Sequence, residues 1–75
     1  MVNDKPFLSI VVPAYDEETR LPGSLQAIAD FVAQKTYPVE VLVVDNNSRD
    51  RTGQIIKEYA GKFPFVQGLF EGLLR

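Results

Sequence analysis

The sequence predicts an α/β fold in which parallel strands alternate with helices. Two short apolar runs rich in valine and isoleucine, residues 9–12 and 41–44, each stop at a cluster of polar and acidic residues. Unbroken runs of this kind are typical of strands buried on both faces of a parallel sheet. About 30 residues with a helical pattern separate them, which is the length of one β-α-β unit. Because parallel neighbours point the same way, both polar clusters are expected at the carboxyl edge of the sheet, where open α/β sheets bind ligands.

The first strand is predicted over residues 8–13 and the first helix over residues 22–34. Pro13 has no N–H to donate and is therefore expected to end the strand. Pro22 is tolerated in the first turn of a helix, where the N–H has no intrahelical partner. The apolar side chains that follow repeat at the spacing of one helix face. They are Leu25, Ile28, Ala29 and Val32.

The second half of the chain predicts a strand over residues 39–45, a helix over residues 50–61 and a third strand over residues 65–70. Ser48 or Asp50 is expected to cap this helix, and Gly61 to end it. The third strand is weakly marked because Gly68 interrupts it. Helical spacing places further apolar side chains in the core. They are Phe31 from the first helix and Ile55, Ile56, Tyr59, Ala60 and Phe63 from the second.

Composition excludes several classes of function. The chain has 75 residues, and its 8 basic against 10 acidic side chains give a net charge of −2 with no basic run, which argues against nucleic acid as a partner. The absence of cysteine and histidine excludes disulfides, cysteine- or histidine-bound zinc, and thiol or imidazole catalysis. No apolar stretch approaches the ~20 residues of a membrane span, and the amino terminus does not resemble a signal peptide. These features predict a cytoplasmic location.

The end of the sequence predicts an incomplete domain. Residues 69–75 are largely apolar and have no evident partner, and a β-α-β-α-β unit leaves a bare strand edge beside them. Natural domains protect such edges. We therefore expect residues 1–75 to be a single amino-terminal fragment of a larger domain, with a tendency to self-associate through the open sheet edge.

Two motifs carry a resemblance to a known family. Residues 9–18, SIVVPAYDEE, are similar to an opening of the form hydrophobic–Pro–x–Tyr–Asn–Glu, and residues 43–52, VVDNNSRDRT, to V-V-D-D-G-S-x-D-x-T. At this spacing, residues 8–63 resemble the amino-terminal, nucleotide-binding half of an inverting family-2 glycosyltransferase. Arg20-Leu21-Pro22 with Ser24-Leu25 further resembles the branch that transfers sugar to a dolichyl-type polyprenyl phosphate. The resemblance implies a partial GT-A fold, a Rossmann-like β-α-β-α-β unit of three layers.

The same resemblance implies what the chain binds. Its partner is a nucleotide-sugar, linked to uridine or guanosine diphosphate, from which a hexosyl group passes to an acceptor such as a polyprenyl phosphate at the cytoplasmic membrane face. The positions that match the family's nucleotide contacts are Pro13, Ala14, Tyr15, Glu17, Asp45 and Asn46. The first three offer a contact surface for base and ribose, Glu17 an acceptor for a ribose hydroxyl, and the last two hydrogen bonds from the second strand.

Each of these positions also has a structural interpretation. The Pro-Ala-Tyr segment can be a strand end with a packing tyrosine, residues 16–18 a solvated loop, and Asp45 the side chain that ties down the turn at residues 46–48. Asn46 stands where the family commonly has an aspartate that accepts a hydrogen bond from uracil. An asparagine keeps one carbonyl acceptor and adds a donor, so the nucleobase stays open between uridine and guanosine. Asn47, where the family commonly has glycine, tolerates the left-handed backbone region.

Parts that the family uses for catalysis do not occur in the sequence. It contains no Asp-x-Asp motif for the divalent metal, Mg²⁺ or Mn²⁺, that the resemblance implies for the intact parent, and no later acidic residue suited to be the base. We expect this chain's own residues to bind no metal, to include no catalytic residue and to be inactive alone. Two alternatives remain at this point. The chain can be an inactive, truncated or divergent fragment that acts as a nucleotide-binding or interaction module, or an unrelated doubly wound domain of flavodoxin or response-regulator type.

Overall fold

A computed structural model describes residues 7–71 of the chain. It confirms the predicted α/β fold, with three strands and two helices that alternate along the sequence. The elements are β1 (Leu8–Ala14), α1 (Leu21–Ala33), β2 (Val39–Asp45), α2 (Thr52–Lys62) and β3 (Val66–Phe70).

The three strands form one parallel sheet in the order β1-β2-β3. Ala14 pairs with Asp45, and Asp45 pairs with Phe70, so all three strands end at the same level. The loops after β1 and β2 therefore leave the sheet side by side at its carboxyl edge, as the sequence predicts.

Both helices pack on the same face of the sheet. Ile56 of α2 lies over β3, with its Cγ2 atom 2.6 Å from the place where a Cβ would stand at Gly68. α1 contributes Leu21 and Leu25 to the core cluster that contains the buried β2 valines, and the Tyr59 hydroxyl of α2 donates to the Pro22 carbonyl of α1 (3.3 Å). Two right-handed crossovers that step in one direction across a sheet place their helices on one side. Residues 7–71 therefore build two layers, which corrects the expectation of three within this chain.

The core lies between this face and the helices. Alternate residues of β2 are buried, and Val41 and Val43 have no exposed surface, nor has Ile56. Burial of a side chain of this size contributes about 1.5–3 kcal/mol to folding. The apolar stripes predicted for the two helices pack against this core, as expected, with one exception. Phe31 is 38% exposed, and the Lys35 ammonium lies 4.5 Å from its ring centroid, so Phe31 is a surface residue rather than a core residue.

The opposite face of the sheet is open among the described residues. Val11 is 59% exposed and Leu69 44%, while Leu42 and Val44 are half-buried. The expectation that the first strands are buried on both faces is therefore not met within residues 7–71.

Two predicted element ends differ from the structure. β1 continues through Pro13 to Ala14, where the sequence predicts a stop at Pro13. Leu8 donates to the Pro38 carbonyl and the Ala14 carbonyl accepts from Asn46, so even-numbered residues of β1 bond toward β2. Pro13, an odd-numbered residue, has its missing N–H on the free side of the strand, where it costs no ladder bond.

α2 begins later and ends later than predicted. Its first residue is Thr52, its N-cap is Arg51 with no side-chain capping bond, and it continues past Gly61 to Lys62. Neither Ser48 nor Asp50 occupies the N-cap position, which corrects that prediction. The last four residues of the apolar tail, 72–75, and the amino-terminal residues 1–6 lie outside the described part of the chain. Within that part, no helix has the length and apolar character needed to cross a bilayer.

Candidate functional site

Two loops meet at the carboxyl edge of the sheet. The first loop, residues 15–20, joins β1 to α1, and the second loop, residues 46–51, joins β2 to α2. The Asn46 N–H donates to the Ala14 carbonyl at 2.9 Å, so the β1-β2 ladder extends to the point where both loops begin. Each loop contains one residue in the left-handed backbone region, Asp16 at φ 49° and Asn47 at φ 61°. Aspartate and asparagine accept this conformation more readily than other non-glycine residues, which confirms the expectation for Asn47.

The backbone of the first loop donates to side chains that follow β2. Three consecutive backbone N–H groups donate in this way. The bonds run from Asp16 to Ser48 Oγ (2.9 Å), from Glu17 to Thr52 Oγ1 (2.7 Å) and from Glu18 to Asp50 Oδ2 (3.2 Å).

The backbone of the second loop donates in return to side chains of the first. The Arg49 N–H bonds to Asp16 Oδ1 at 2.8 Å, and the Arg51 N–H to Glu18 Oε1 at 3.1 Å. The Arg49 guanidinium also lies 3.7 Å from Asp16 Oδ2, an exposed ion pair worth at most ~1 kcal/mol. We call these five hydrogen bonds the interloop network. Asp16 and Glu18 are therefore exposed to solvent, as the structural interpretation expects, and in addition hold the two loops together.

Thr52 is the buried member of this network. Its side chain is fully enclosed, and its hydroxyl accepts from Glu17 and donates to Asp50 Oδ1. Asp50 Oδ1 also accepts the Thr52 N–H at 2.9 Å. Partial desolvation raises the pKa of Asp50, but hydrogen bonds from the Thr52 hydroxyl, the Thr52 N–H and the Glu18 N–H lower it more, so the net pKa is below its ordinary value. Asp50 therefore carries its negative charge at neutral pH.

Asp45 is buried beneath the second loop. It is 7% exposed, and its Oδ1 accepts the Ser48 N–H at 2.9 Å. Its Oδ2 lies 3.0 Å from the place where a Cβ would stand at Gly53, in the first turn of α2, where a carboxylate is favourable. The structural role that the sequence leaves open for Asp45, tying down the turn at residues 46–48, is thus present.

The other predicted site residues divide into exposed and enclosed groups. Pro13 and Asn46 are exposed, and Tyr15 is 41% exposed, so these side chains are accessible at the carboxyl edge. Ala14 is only 3% exposed as a whole residue, and its carbonyl accepts the Asn46 N–H, so Ala14 is enclosed at the end of the ladder.

An open cleft of about 210 Å³ lies between the end of β1 and the start of α1. Its lining residues are Val12, Pro13, Glu17, Arg20, Leu21 and Ser24. Glu17 accepts two hydrogen bonds from the Arg20 guanidinium, each 2.9 Å long, so the two side chains form a fixed bidentate pair in the wall. The cleft is smaller than the ~300–1,000 Å³ of a complete small-molecule pocket, and so it can hold only part of a nucleotide.

Comparison with known proteins identifies the family. The model of the family "Glycosyl transferase family 2" matches residues 9–71, which includes both loops and both helices. The chain belongs to glycosyl transferase family 2.

Several curated relatives of this family are similar to the chain. A dolichyl-phosphate beta-glucosyltransferase of Trichomonas vaginalis is 39% identical over 67 residues, which cover 80% of this chain and 20% of the relative. A protein with the same enzyme name from Dictyostelium discoideum is 33% identical, over 81% of this chain and 20% of its own length. A probable glycosyltransferase of Bacillus subtilis is 33% identical, over 88% of this chain and 16% of its own length. The chain thus spans about a fifth of the length of the relatives it matches.

The family assignment gives the two sequence motifs a place in the fold. The first motif is β1 with the first loop, and the second motif is the end of β2 with the second loop and the start of α2. Three residues that matter to this geometry were not predicted as site residues: Thr52, Arg20 and Ser24. The signal for Thr52 was available, because it ends the second motif and opens a helix, yet a threonine at such a place is usually exposed.

The described residues do not fit a divalent metal, although the family resemblance implies one. Within residues 7–71 no three acidic side chains come close enough together to hold a metal ion by themselves. Three carboxylates of the two loops, those of Asp16, Glu18 and Asp50, each accept a backbone N–H of the opposite loop. No step of a reaction is therefore assigned to a metal held by this part of the chain.

Proposed function

We propose that residues 7–71 form the donor-nucleotide site of a glycosyltransferase that moves a hexosyl group from a nucleotide-sugar to a polyprenyl phosphate. One observation carries this proposal: the interloop network holds the two family motifs together at one sheet edge, with Tyr15 and Asn46 accessible there. The names of the relatives from Trichomonas and Dictyostelium support the dolichyl-phosphate acceptor and a glucosyl group.

The exposed residues of the edge suit a nucleoside. Pro13 and Tyr15 offer an apolar surface, and a tyrosine ring can stack on a base or pack against a ribose. Asn46 offers one carbonyl acceptor and one amide donor, which match the polar edge of either a uracil or a guanine. In this proposal the side-chain amide of Asn46 reads the base.

Glu17 and Asp45 contribute through groups that are already bonded. The Glu17 carboxylate is held by Arg20 and still has lone pairs for a ribose hydroxyl. Asp45 is enclosed, so we propose that it serves the nucleotide chiefly by fixing the turn that presents Asn46. A direct bond from Asp45 to the nucleotide stays a prediction.

The remaining parts of the reaction are assigned to segments outside residues 1–75. These segments would supply the acidic residues for Mg²⁺ or Mn²⁺ and for the base, since the sequence has no Asp-x-Asp motif. We further propose, from the family resemblance, that the reaction takes place at the cytoplasmic face of a membrane. A module that binds nucleotide without transferring sugar is the alternative, and an assay of hexosyl transfer to a polyprenyl phosphate separates the two.

The binding site is tested by titrating the intact protein with uridine diphosphate and guanosine diphosphate. We expect one of them to bind, and Tyr15→Ala to weaken it by roughly 5- to 150-fold, the equivalent of the ~1–3 kcal/mol of an aromatic contact to a base. Asn46→Asp should strengthen binding of whichever diphosphate is preferred, because a carboxylate is a stronger acceptor than an amide oxygen for the ring N–H of either base.

Tyr37→Ala is the matched control. Tyr37 lies at the amino end of the strands, away from the candidate site, with its ring centroid 4.7 Å from that of Phe7. Its replacement should leave the affinity for the nucleoside diphosphate unchanged. The proposal is wrong if neither diphosphate binds, or if the two tyrosine variants weaken binding equally.

A further inference from the structure

We propose that Thr52 is a positioning residue for nucleotide binding, whose hydroxyl fixes the first loop in the conformation that presents Tyr15 and Glu17. This inference rests on the proposed function, because it concerns how the same site is held before a nucleotide arrives. Thr52 itself has no exposed surface, so it acts through the first loop and makes no contact with a ligand.

The Thr52 hydroxyl has a defined direction. It donates its hydrogen to Asp50 Oδ1, which leaves a lone pair directed at the Glu17 N–H, 2.7 Å away. Asp50 is held in turn by the Thr52 N–H at 2.9 Å and by the Glu18 N–H at 3.2 Å. The hydroxyl and the carboxylate therefore form one small hydrogen-bonded unit between the first loop and the start of α2.

The Glu17 backbone connects this hydrogen-bonded unit to the candidate site. Its N–H is held by Thr52 of α2, and its carbonyl accepts from Leu21 at 2.8 Å and from Arg20 at 3.1 Å, where α1 begins. Residue 17 thus links the starts of both helices. Without the Thr52 hydroxyl, the Glu17 N–H loses its acceptor and the first loop loses a fixed position relative to the second. A loop that must be ordered during binding lowers affinity, because part of the interaction free energy is used for ordering.

Thr52→Val tests this role, because valine has nearly the shape of threonine and lacks the hydroxyl. We expect the Kd of the intact protein for the preferred nucleoside diphosphate, uridine or guanosine, to rise about tenfold, which corresponds to ~1.4 kcal/mol. Thr52→Ser retains the hydroxyl and should restore affinity to within about twofold of the unsubstituted protein, since the hydrogen bonds are kept.

Ile56→Val controls for a general loss of stability. Ile56 lies one turn further along α2 and is also fully buried. Its side chain is apolar and so takes no part in the hydrogen bonds of the interloop network. Its truncation destabilises the core by removing one buried methylene. We expect the thermal midpoint of this variant to fall while its Kd stays unchanged. A raised Kd in Thr52→Val would then come from the first loop and not from a general loss of stability.

Asp50→Ala gives a second route if Thr52→Val does not fold. Asp50 is only partly buried, and its replacement removes the acceptor that orients the Thr52 hydroxyl. We expect severalfold weaker binding. If the intact protein binds and neither Thr52→Val nor Asp50→Ala changes the Kd, or if Ile56→Val weakens binding as much as they do, this inference is wrong and the proposed function stands. If the intact protein binds neither diphosphate, both fail together.

Discussion

The two faces of the sheet differ although the same strands build both. On the face under the helices, Val41 and Val43 are completely enclosed, whereas on the opposite face Val11 is 59% exposed and Leu69 44%. Both sets of residues are equally apolar in the sequence. An apolar run therefore shows that a strand has hydrophobic positions on each side, but it does not show which elements of the chain cover them.

The open face is itself divided along the strands. Near the amino end it is polar, and the Ser9 hydroxyl donates to Glu40 of the neighbouring strand. From the middle of the strands to the carboxyl end, it carries Val11, Leu42 and Val44. The apolar part of the open face thus reaches the edge that carries the candidate site, where the covered face ends in the enclosed carboxylate of Asp45.

The largest expected difference in stability between the two faces comes from replacing one valine on each face by alanine. Val43→Ala should lower the free energy of unfolding by about 2–3 kcal/mol, because two buried methyl groups are lost and a cavity remains. Val11→Ala should lower it by less than ~1 kcal/mol, chiefly through the smaller strand propensity of alanine. Both variants replace a strand valine by alanine and so share the loss of strand propensity. The difference between their free energies of unfolding, measured by urea denaturation, therefore reports how deeply each valine is buried. Equal losses would show that the open face is covered in solution.

A second comparison adds a methyl group to the covered face instead of removing one. A Cβ at Gly68 would stand 2.6 Å from Cγ2 of the fully buried Ile56, so one of the two residues would have to shift. Gly68→Ala should therefore destabilise the protein by about 1–3 kcal/mol. Gly61→Ala is the matched control, since a Cβ there would meet no described atom within 4 Å apart from its chain neighbours and the local helix backbone, and alanine favours a helix by ~1 kcal/mol. Thermal unfolding should move in opposite directions for the two variants, and a stable Gly68→Ala protein would refute this account of the glycine.

The fold was largely predictable because its signals are local. Helical spacing of Leu25, Ile28 and Ala29 identified the buried side of α1, and the apolar runs identified the first two strands. Gly68 weakened the prediction of β3, yet its absent side chain is what lets Ile56 approach that strand. Phe31 was wrongly placed in the core, because spacing alone does not show how wide the buried stripe of a helix is.

The candidate site was predictable in place but not in detail. Parallel strands bring their carboxyl ends together, so the convergence of the two loops followed from the sequence. The interloop network did not, since its donors and acceptors lie more than 30 positions apart and depend on the backbone turn at Asp16. Thr52 and Asp50 consequently have a role between the loops, where the sequence suggested only helix capping for Asp50.

The smallest expected effect on stability comes from placing a charge on the open face. The unsubstituted 75-residue chain should self-associate, because Val11 and the free edge of β1 present apolar surface and unpaired backbone groups among the described residues. Val11→Lys should shift its mass toward the 8.4 kDa monomer in sedimentation equilibrium, while the free energy of unfolding changes by no more than ~1 kcal/mol. Gln26→Lys, on the exposed side of α1, adds the same charge and should leave association unchanged. If the unsubstituted chain is monomeric at every concentration, or if both lysine variants act alike, the open face and its edge are not a site of self-association.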